Sequence, residues 1–92
     1  MQITIRYEAQ ARRAAGISSA TIEFSDRCCV SDCIRSVADA HDEQLGMILV
    51  NTEGEIQRSL LMFLNDVQIM RNDDSPLSDG DTLTLMTPIS GG

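Results

Sequence analysis

The chain has 92 residues, 42% of them hydrophobic, and its 14 acidic against 7 basic side chains give a formal net charge of -7. That length supports one domain, with too little interior for a second catalytic domain or a roomy substrate pocket. The acidic balance repels phosphate backbones, which argues against a nucleic-acid partner, and no apolar run reaches the roughly 18 residues that a membrane span needs. The first residues, MQITIRYEAQ, lack the basic and then apolar profile of a secretory signal, so the cytoplasm is the expected location. All 7 basic residues are arginine. Without lysine, the N-terminus is the one primary amine in the sequence.

Residues Gln2 to Tyr7 alternate, with Ile3, Ile5 and Tyr7 on one side and Gln2, Thr4 and Arg6 on the other, which is the period of a half-buried strand. Glu8 to Ser18 tolerates helix in its Ala and Arg content but is broken by Gly16. Alternation then returns at Ala20, Ile22 and Phe24, so a second strand and a hairpin are expected. From Val30 the period changes: Val30, Cys33, Ile34, Val37, Ala38 and His41 follow helical spacing, which predicts one amphipathic helix over 30–41. Arg35 and Asp39 are spaced for a weak i,i+4 pair on its polar face, and Ser25 with Asp26, or Ser31, would cap its start.

Asp42 to Arg58 reads as an irregular connection with room for a short helical turn. Leu60 to Leu64 is a continuous apolar run, suited to a strand covered on both faces. Asn65-Asp66 is a tight-turn signal and Val67 to Met70 a short return strand. Asn72 to Asp81 is turn chemistry almost throughout, and Thr82 to Met86 makes the last strand. The order strand, strand, helix, strand, strand, strand predicts an α+β domain, a mixed sheet with one main helix packed across one face.

Cys28, Cys29 and Cys33 show neither the Cys-x-x-Cys spacing of redox motifs nor the paired knuckles of a zinc site, so no metal site is expected and the thiols read as reduced. Cys33 falls on the apolar helical stripe and reads as core; Cys28 or Cys29 would be reactive only if exposed, and no activating base stands nearby. His41 reads as a helix-end or surface residue with no nucleophile in register. The residues offer no internal catalytic constellation, and an enzyme is not expected.

After the last strand come Thr87-Pro88-Ile89-Ser90-Gly91-Gly92. Pro88 ends strand pairing and the two glycines carry no side chain to anchor them, so 1–86 is expected to form the domain and 87–92 a thin flexible tail. With Phe63-Leu64-Asn65-Asp66, the turn Pro76-Leu77-Ser78-Asp79-Gly80-Asp81 and the terminus Pro88-Ile89-Ser90-Gly91-Gly92, the whole chain resembles the ThiS/MoaD family of ubiquitin-like β-grasp sulfur carriers. The resemblance implies a β-grasp fold and a carrier cycle. An E1-like adenylating enzyme uses ATP to activate the Gly92 carboxylate, and a sulfur donor then displaces AMP to leave a thiocarboxylate. A sulfur-accepting synthase receives the sulfur, either a molybdopterin synthase large subunit or a cysteine-synthase-like enzyme. The carrier itself would bind no cofactor.

Pro88, Ile89, Ser90 and Gly91 would thread the partner's active site, since a terminal Gly-Gly passes a channel too narrow for a Cβ. Met62, Met70 and Met86 are adaptable apolar candidates for partner docking on the second sheet face, against the alternative that they fill the core. Acidic groups near the tail would steer toward a basic partner rim. Two other functions remain open: a protein modifier conjugated through Gly92, or an interaction module with no reactive terminus. The connection Asp42 to Arg58 is longer than in compact thiamine carriers, which favours molybdopterin or cysteine biosynthesis without choosing between them.

Overall fold

A computed structural model describes residues 1–25, 27–40, 43–70 and 72–87. Its elements are β1 (Gln2–Glu8), α1 (Ala9–Ala15), β2 (Ser19–Glu23), α2 (Val30–Ala40), α3 (Glu43–Leu49), β3 (Leu61–Leu64), β4 (Val67–Ile69) and β5 (Thr82–Thr87). The five strands lie in the order β2-β1-β5-β3-β4. β1 is antiparallel to β2 and parallel to β5, while β3 is antiparallel to both β4 and β5, which makes the mixed sheet expected from the element order. The two central strands alternate most cleanly, and that alternation decides which side each residue faces.

The inward set of β1, Ile3, Ile5 and Tyr7, stands level with Leu83 and Leu85 of β5 and, through β5, with Met62 of β3. These residues form one buried cluster with Val30, Cys33, Ile34 and Val37 of α2 and Leu45 and Leu49 of α3. The helical stripe is therefore the face that meets the sheet, and each fully buried aliphatic side chain there contributes about 1.5–3 kcal/mol of transfer free energy.

Two helices go beyond the single one expected. In the first connection, α1 ends on Gly16, whose left-handed φ of 78 lets its N–H donate to the Arg12 carbonyl. Its start has no side-chain cap, and Ala9 holds a positive φ of 55. Fully buried Ala11 holds this short helix through tertiary packing instead. The second, α3, occupies much of the connection read as irregular. Leu45 and Leu49, one turn apart, seal it to the core, and the Gln57 side-chain amide donates to the Met47 carbonyl at 3.1 Å near its C-terminus. No helix of the described residues is long and apolar enough to cross a membrane.

The cap of α2 corrects the expectation of Ser25 or Ser31. Cys29 precedes the helix and accepts from the Cys33 N–H at 3.1 Å, while Asp32 turns back to accept from the Cys29 N–H at 3.0 Å. The remaining first-turn donors are met from far along the chain. The Ser75 carbonyl accepts from the Val30 N–H at 3.0 Å, and the Asp74 carboxylate accepts from the Ser31 N–H and Oγ at 2.9 and 2.8 Å. Asp26 and His41 lie outside the described residues. Among the described residues the ion pair is Arg6 with Glu8 at 3.3 Å, and the Arg35–Asp39 pair does not form.

The segment 72–81 ties the sheet together at one end. Asp79 Oδ1 accepts from the Gln2 N–H at 2.7 Å, and Gly80, at φ 88, donates its N–H to the Gln2 carbonyl at 2.8 Å. Asp81 accepts from the Ser78 N–H at 2.8 Å and from the Asn65 side-chain amide at 2.9 Å. Asn65 also accepts from the Thr82 N–H through Oδ1 at 2.9 Å and donates its own N–H to the Thr82 carbonyl at 2.9 Å. Positive φ at Asn65 and Asp66, 50 and 70, gives the β3–β4 hairpin the tight primed turn that its two residues signal.

Candidate functional site

Register assigns the sheet's outer face residue by residue. Leu61 pairs with Met86 and Phe63 with Thr84, while Arg6 stands opposite Thr84 and Glu8 opposite Met86. Leu61, Phe63 and Met86, all half-buried, therefore form an apolar patch on the side away from the helices, bordered by Arg6, Glu8, Thr84 and Gln68. The Arg6–Glu8 pair is half exposed, and screening leaves such a pair at most about 1 kcal/mol. An open groove of about 400 Å³ continues the patch toward the sheet edge, lined by Arg58, Leu60, Leu61, Gln68, Ile69 and Met70.

The three methionine candidates separate. Met86 lies on the outer patch, and Met70 is 64% exposed just past β4. Met62 is 1% exposed and packs inward opposite Leu85 and Ile69, so it fills the core and has no surface for a partner. The run 60–64 is thus covered on one face, not both. Leu61 and Phe63 were missed as surface residues because an unbroken apolar run carries no polar residue to mark which parity faces out.

The last strand ends just before the tail that the sequence analysis singled out. β5 runs one residue beyond Met86, and Thr87 is 3% exposed beside Ala9 at the start of α1. Its Oγ1 is buried with no hydrogen-bond partner among the described residues. Pro88, Ile89, Ser90, Gly91 and Gly92, the tail residues singled out from sequence, lie outside the described residues. Arg12 and Arg13, both exposed, sit in the last turn of α1 on this same side.

Cys28 and Cys29 lie beside the segment 72–81 that clamps Gln2: the Cys28 carbonyl accepts from the Leu77 N–H at 2.9 Å and Cys29 bridges Pro76. Cys28 and Cys33 are buried and Cys29 is intermediate. Burial, with Cys28 and Asp32 adding to it, pushes the Cys33 thiol up to about 12. Burial also raises Cys28, further raised by Asp32 and Cys29 and opposed by the Met1 ammonium. Tyr7 is raised by burial and then by Cys33. These shifts hold the groups neutral at ordinary pH and make poor nucleophiles of the two buried thiols. Among the described residues no group of three or more His, Cys, Asp or Glu side chains is placed to hold a metal ion.

A mixed sheet gripping one main helix, with an apolar outer face and a final strand followed in sequence by Pro-Ile-Ser-Gly-Gly, is the architecture of a ubiquitin-like β-grasp protein. The ThiS family model matches residues 5–92, and the chain belongs to that family. It is 27% identical over 92 residues to the molybdopterin synthase sulfur carrier subunit of Chlamydomonas reinhardtii, covering 100% of both chains. It is 26% identical over 94 residues to small archaeal modifier protein 3 of Haloferax volcanii, again covering 100% of both. In structure it is similar to SAMP1 from Haloferax volcanii, with a TM-score of 0.86 at 21% identity over 100% of both chains, a likeness of fold.

Proposed function

We propose that the protein is a sulfur carrier whose reactive group is the Gly92 carboxylate. The observation that carries this reading is that the family match runs through Gly92 while β5, in the centre of the sheet, leads directly into that segment. A carboxylate is a poor electrophile because its charge repels nucleophiles. An E1-like partner overcomes this with ATP: a Gly92 oxygen attacks the α-phosphorus, pyrophosphate leaves, and the acyl adenylate forms. A sulfur nucleophile then attacks the acyl carbon and AMP departs: sulfide gives the thiocarboxylate directly with loss of its proton, whereas a donor persulfide gives an acyl disulfide whose S–S bond a second thiol cleaves, releasing the thiocarboxylate and leaving a disulfide on the donor side. Catalysis lies in the partners, and the carrier supplies the substrate terminus and the surface that presents it.

Leu61, Phe63 and Met86 are the docking patch in this reading, with Met70 at its edge. The named relative from Chlamydomonas favours molybdopterin biosynthesis over a cysteine pathway, with a synthase large subunit as acceptor, and the cytoplasm is the place of work. A second reading, conjugation to other proteins through Gly92, is favoured by the relative named a modifier. Deleting Gly92 tests both: ATP–pyrophosphate exchange catalysed by the cognate activating enzyme should be lost. Undiminished exchange would leave neither reading standing.

A further inference from the structure

We infer that the outer edge of β2 is a self-association surface, on which a second copy of this chain seats antiparallel and joins two sheets into one. The inference makes no use of the tail. β2 stands at the edge of the order β2-β1-β5-β3-β4 and pairs with β1. Its ladder can be assigned bond by bond. Met1 and Phe24 exchange both backbone bonds, at 3.0 and 2.8 Å, and the Tyr7 N–H donates to the Ser18 carbonyl at 2.9 Å. Bonded pairs alternate along an antiparallel register, so Ile22 and Ala20 also turn their N–H and C=O toward β1. Ser19, Thr21 and Glu23 therefore turn theirs outward. These residues are exposed, and among the described residues nothing pairs with that edge.

A strand edge of this kind is a template for another strand, and chains that stay apart guard it with lysine, proline or a bulge. β2 carries none of these: its sequence is Ser-Ala-Thr-Ile-Glu, and its register runs unbroken from the Gln2–Glu23 pair to the Arg6–Ser19 pair. The opposite edge is guarded by its shortness. β4 spans only Val67–Ile69, and just past it the Met70 carbonyl is taken by the Asp73 N–H at 2.9 Å.

What this edge matches is itself. A two-fold axis through Thr21 places Thr21 opposite Thr21 of the second copy and Ser19 opposite its Glu23, and each such pair exchanges both of its outward bonds. In that register no like charges stand directly opposite. On the helix side Ala20 of one copy faces Ile22 of the other, and Phe24 faces Ser18. Ala20, Ile22 and Phe24 are half-buried apolar residues at the margin of the core, and the second copy covers part of what remains of them. On the outer face the charges are complementary. Arg6 stands beside Ser19 within one copy, so Glu23 of the second copy lies two strand spacings from Arg6, about 9.6 Å between backbones. A long arginine and a glutamate close that gap over the small serine, and symmetry repeats the contact. The Arg6 guanidinium holds Glu8 at 3.3 Å through one nitrogen and keeps further donors for a second carboxylate. The net charge of -7 on each copy opposes association, but at physiological salt charges more than ~8 Å apart are largely screened. Pairing through β2 leaves Leu61, Phe63 and Met86, on β3 and β5, open in both copies.

Sedimentation equilibrium of the full-length chain, over a concentration series at physiological salt and under reductant, tests this. Wild type should rise from the mass of one chain toward twice that mass as concentration increases. Thr21→Pro removes an outward N–H that the β1 ladder does not use, so the fold should be kept, as circular dichroism would show, while the chain stays monomeric throughout. Arg6→Glu and Glu23→Arg should each weaken the dimer by about tenfold or more, and the two together should restore it. Within one chain Arg6 and Glu23 stand at opposite ends of the β1–β2 ladder, so restoration can come only from contact between copies. A wild type that keeps the mass of one chain up to the highest concentration would overturn the inference. So would a Thr21→Pro or single charge variant that dimerises as wild type does, or a double exchange that restores nothing.

Discussion

Replacing Asn65 tests how the hairpin, the last strand and the Asp81 turn are joined. Its side chain donates to Asp81 and accepts from the Thr82 N–H, both at 2.9 Å, while its backbone sits at a φ of 50. Asn65→Gly keeps the backbone permissive and removes the two bonds, one to a carboxylate, for an expected cost of about 1–3 kcal/mol. Asn65→Ala removes the same bonds and adds roughly 1–2 kcal/mol for a Cβ in the left-handed region. Urea melts of the three proteins at one temperature measure both steps if the m-values agree. If alanine and glycine were equally destabilising, the positive φ would carry no cost. If glycine cost less than about 0.5 kcal/mol, the bonds would not be holding the turn.

Thr87→Val removes a buried hydroxyl that has no partner among the described residues while keeping side-chain volume, so it should stabilise by about 1 kcal/mol and raise Tm by a few degrees in a thermal scan. A clear fall in Tm would mean the hydroxyl is paired. The raised Cys33 thiol stabilises the fold fully below its unfolded value near 9 and loses that contribution toward about 12, because the unfolded chain releases the proton first. Stability should thus fall from pH 9 upward, by at most ~1.4 kcal/mol per unit from this group, and Cys33→Val should flatten that slope. Phe63→Ala on the outer patch should weaken binding to the activating enzyme by tenfold or more, on the order of 1.4 kcal/mol, with Tm lowered only slightly. Unchanged binding in titration calorimetry would place the docking surface elsewhere.

Most of the strand layout was legible because β1, β2 and β5 alternate in burial with period two, and α2 because its stripe keeps helical spacing from Val30 to Val37. What escaped reading depends on residues far apart in sequence. No local signal marks Asp74 as the acceptor for Ser31, 43 positions away. Helix α1 has no side-chain cap and is held by burial of Ala11, so its sequence shows only tolerance for helix. In 60–64 the alternation existed but was hidden by five apolar residues in a row, which let Met62 pass for a surface candidate and hid Leu61 and Phe63. The proposed tail chemistry is of another kind: it rests on residue identity at the terminus and on family resemblance, not on packing, and the tail lies outside the described residues.

Sulfur transfer to Gly92 is the central claim, and intact mass of the full chain tests it most directly, after incubation with the cognate activating enzyme, ATP and a sulfur donor. The account predicts an ATP-dependent gain equal to one oxygen replaced by sulfur, located to the C-terminal peptide and absent when Gly92 is deleted. A chain that remained unmodified while the same enzyme and donor charged another carrier would contradict it.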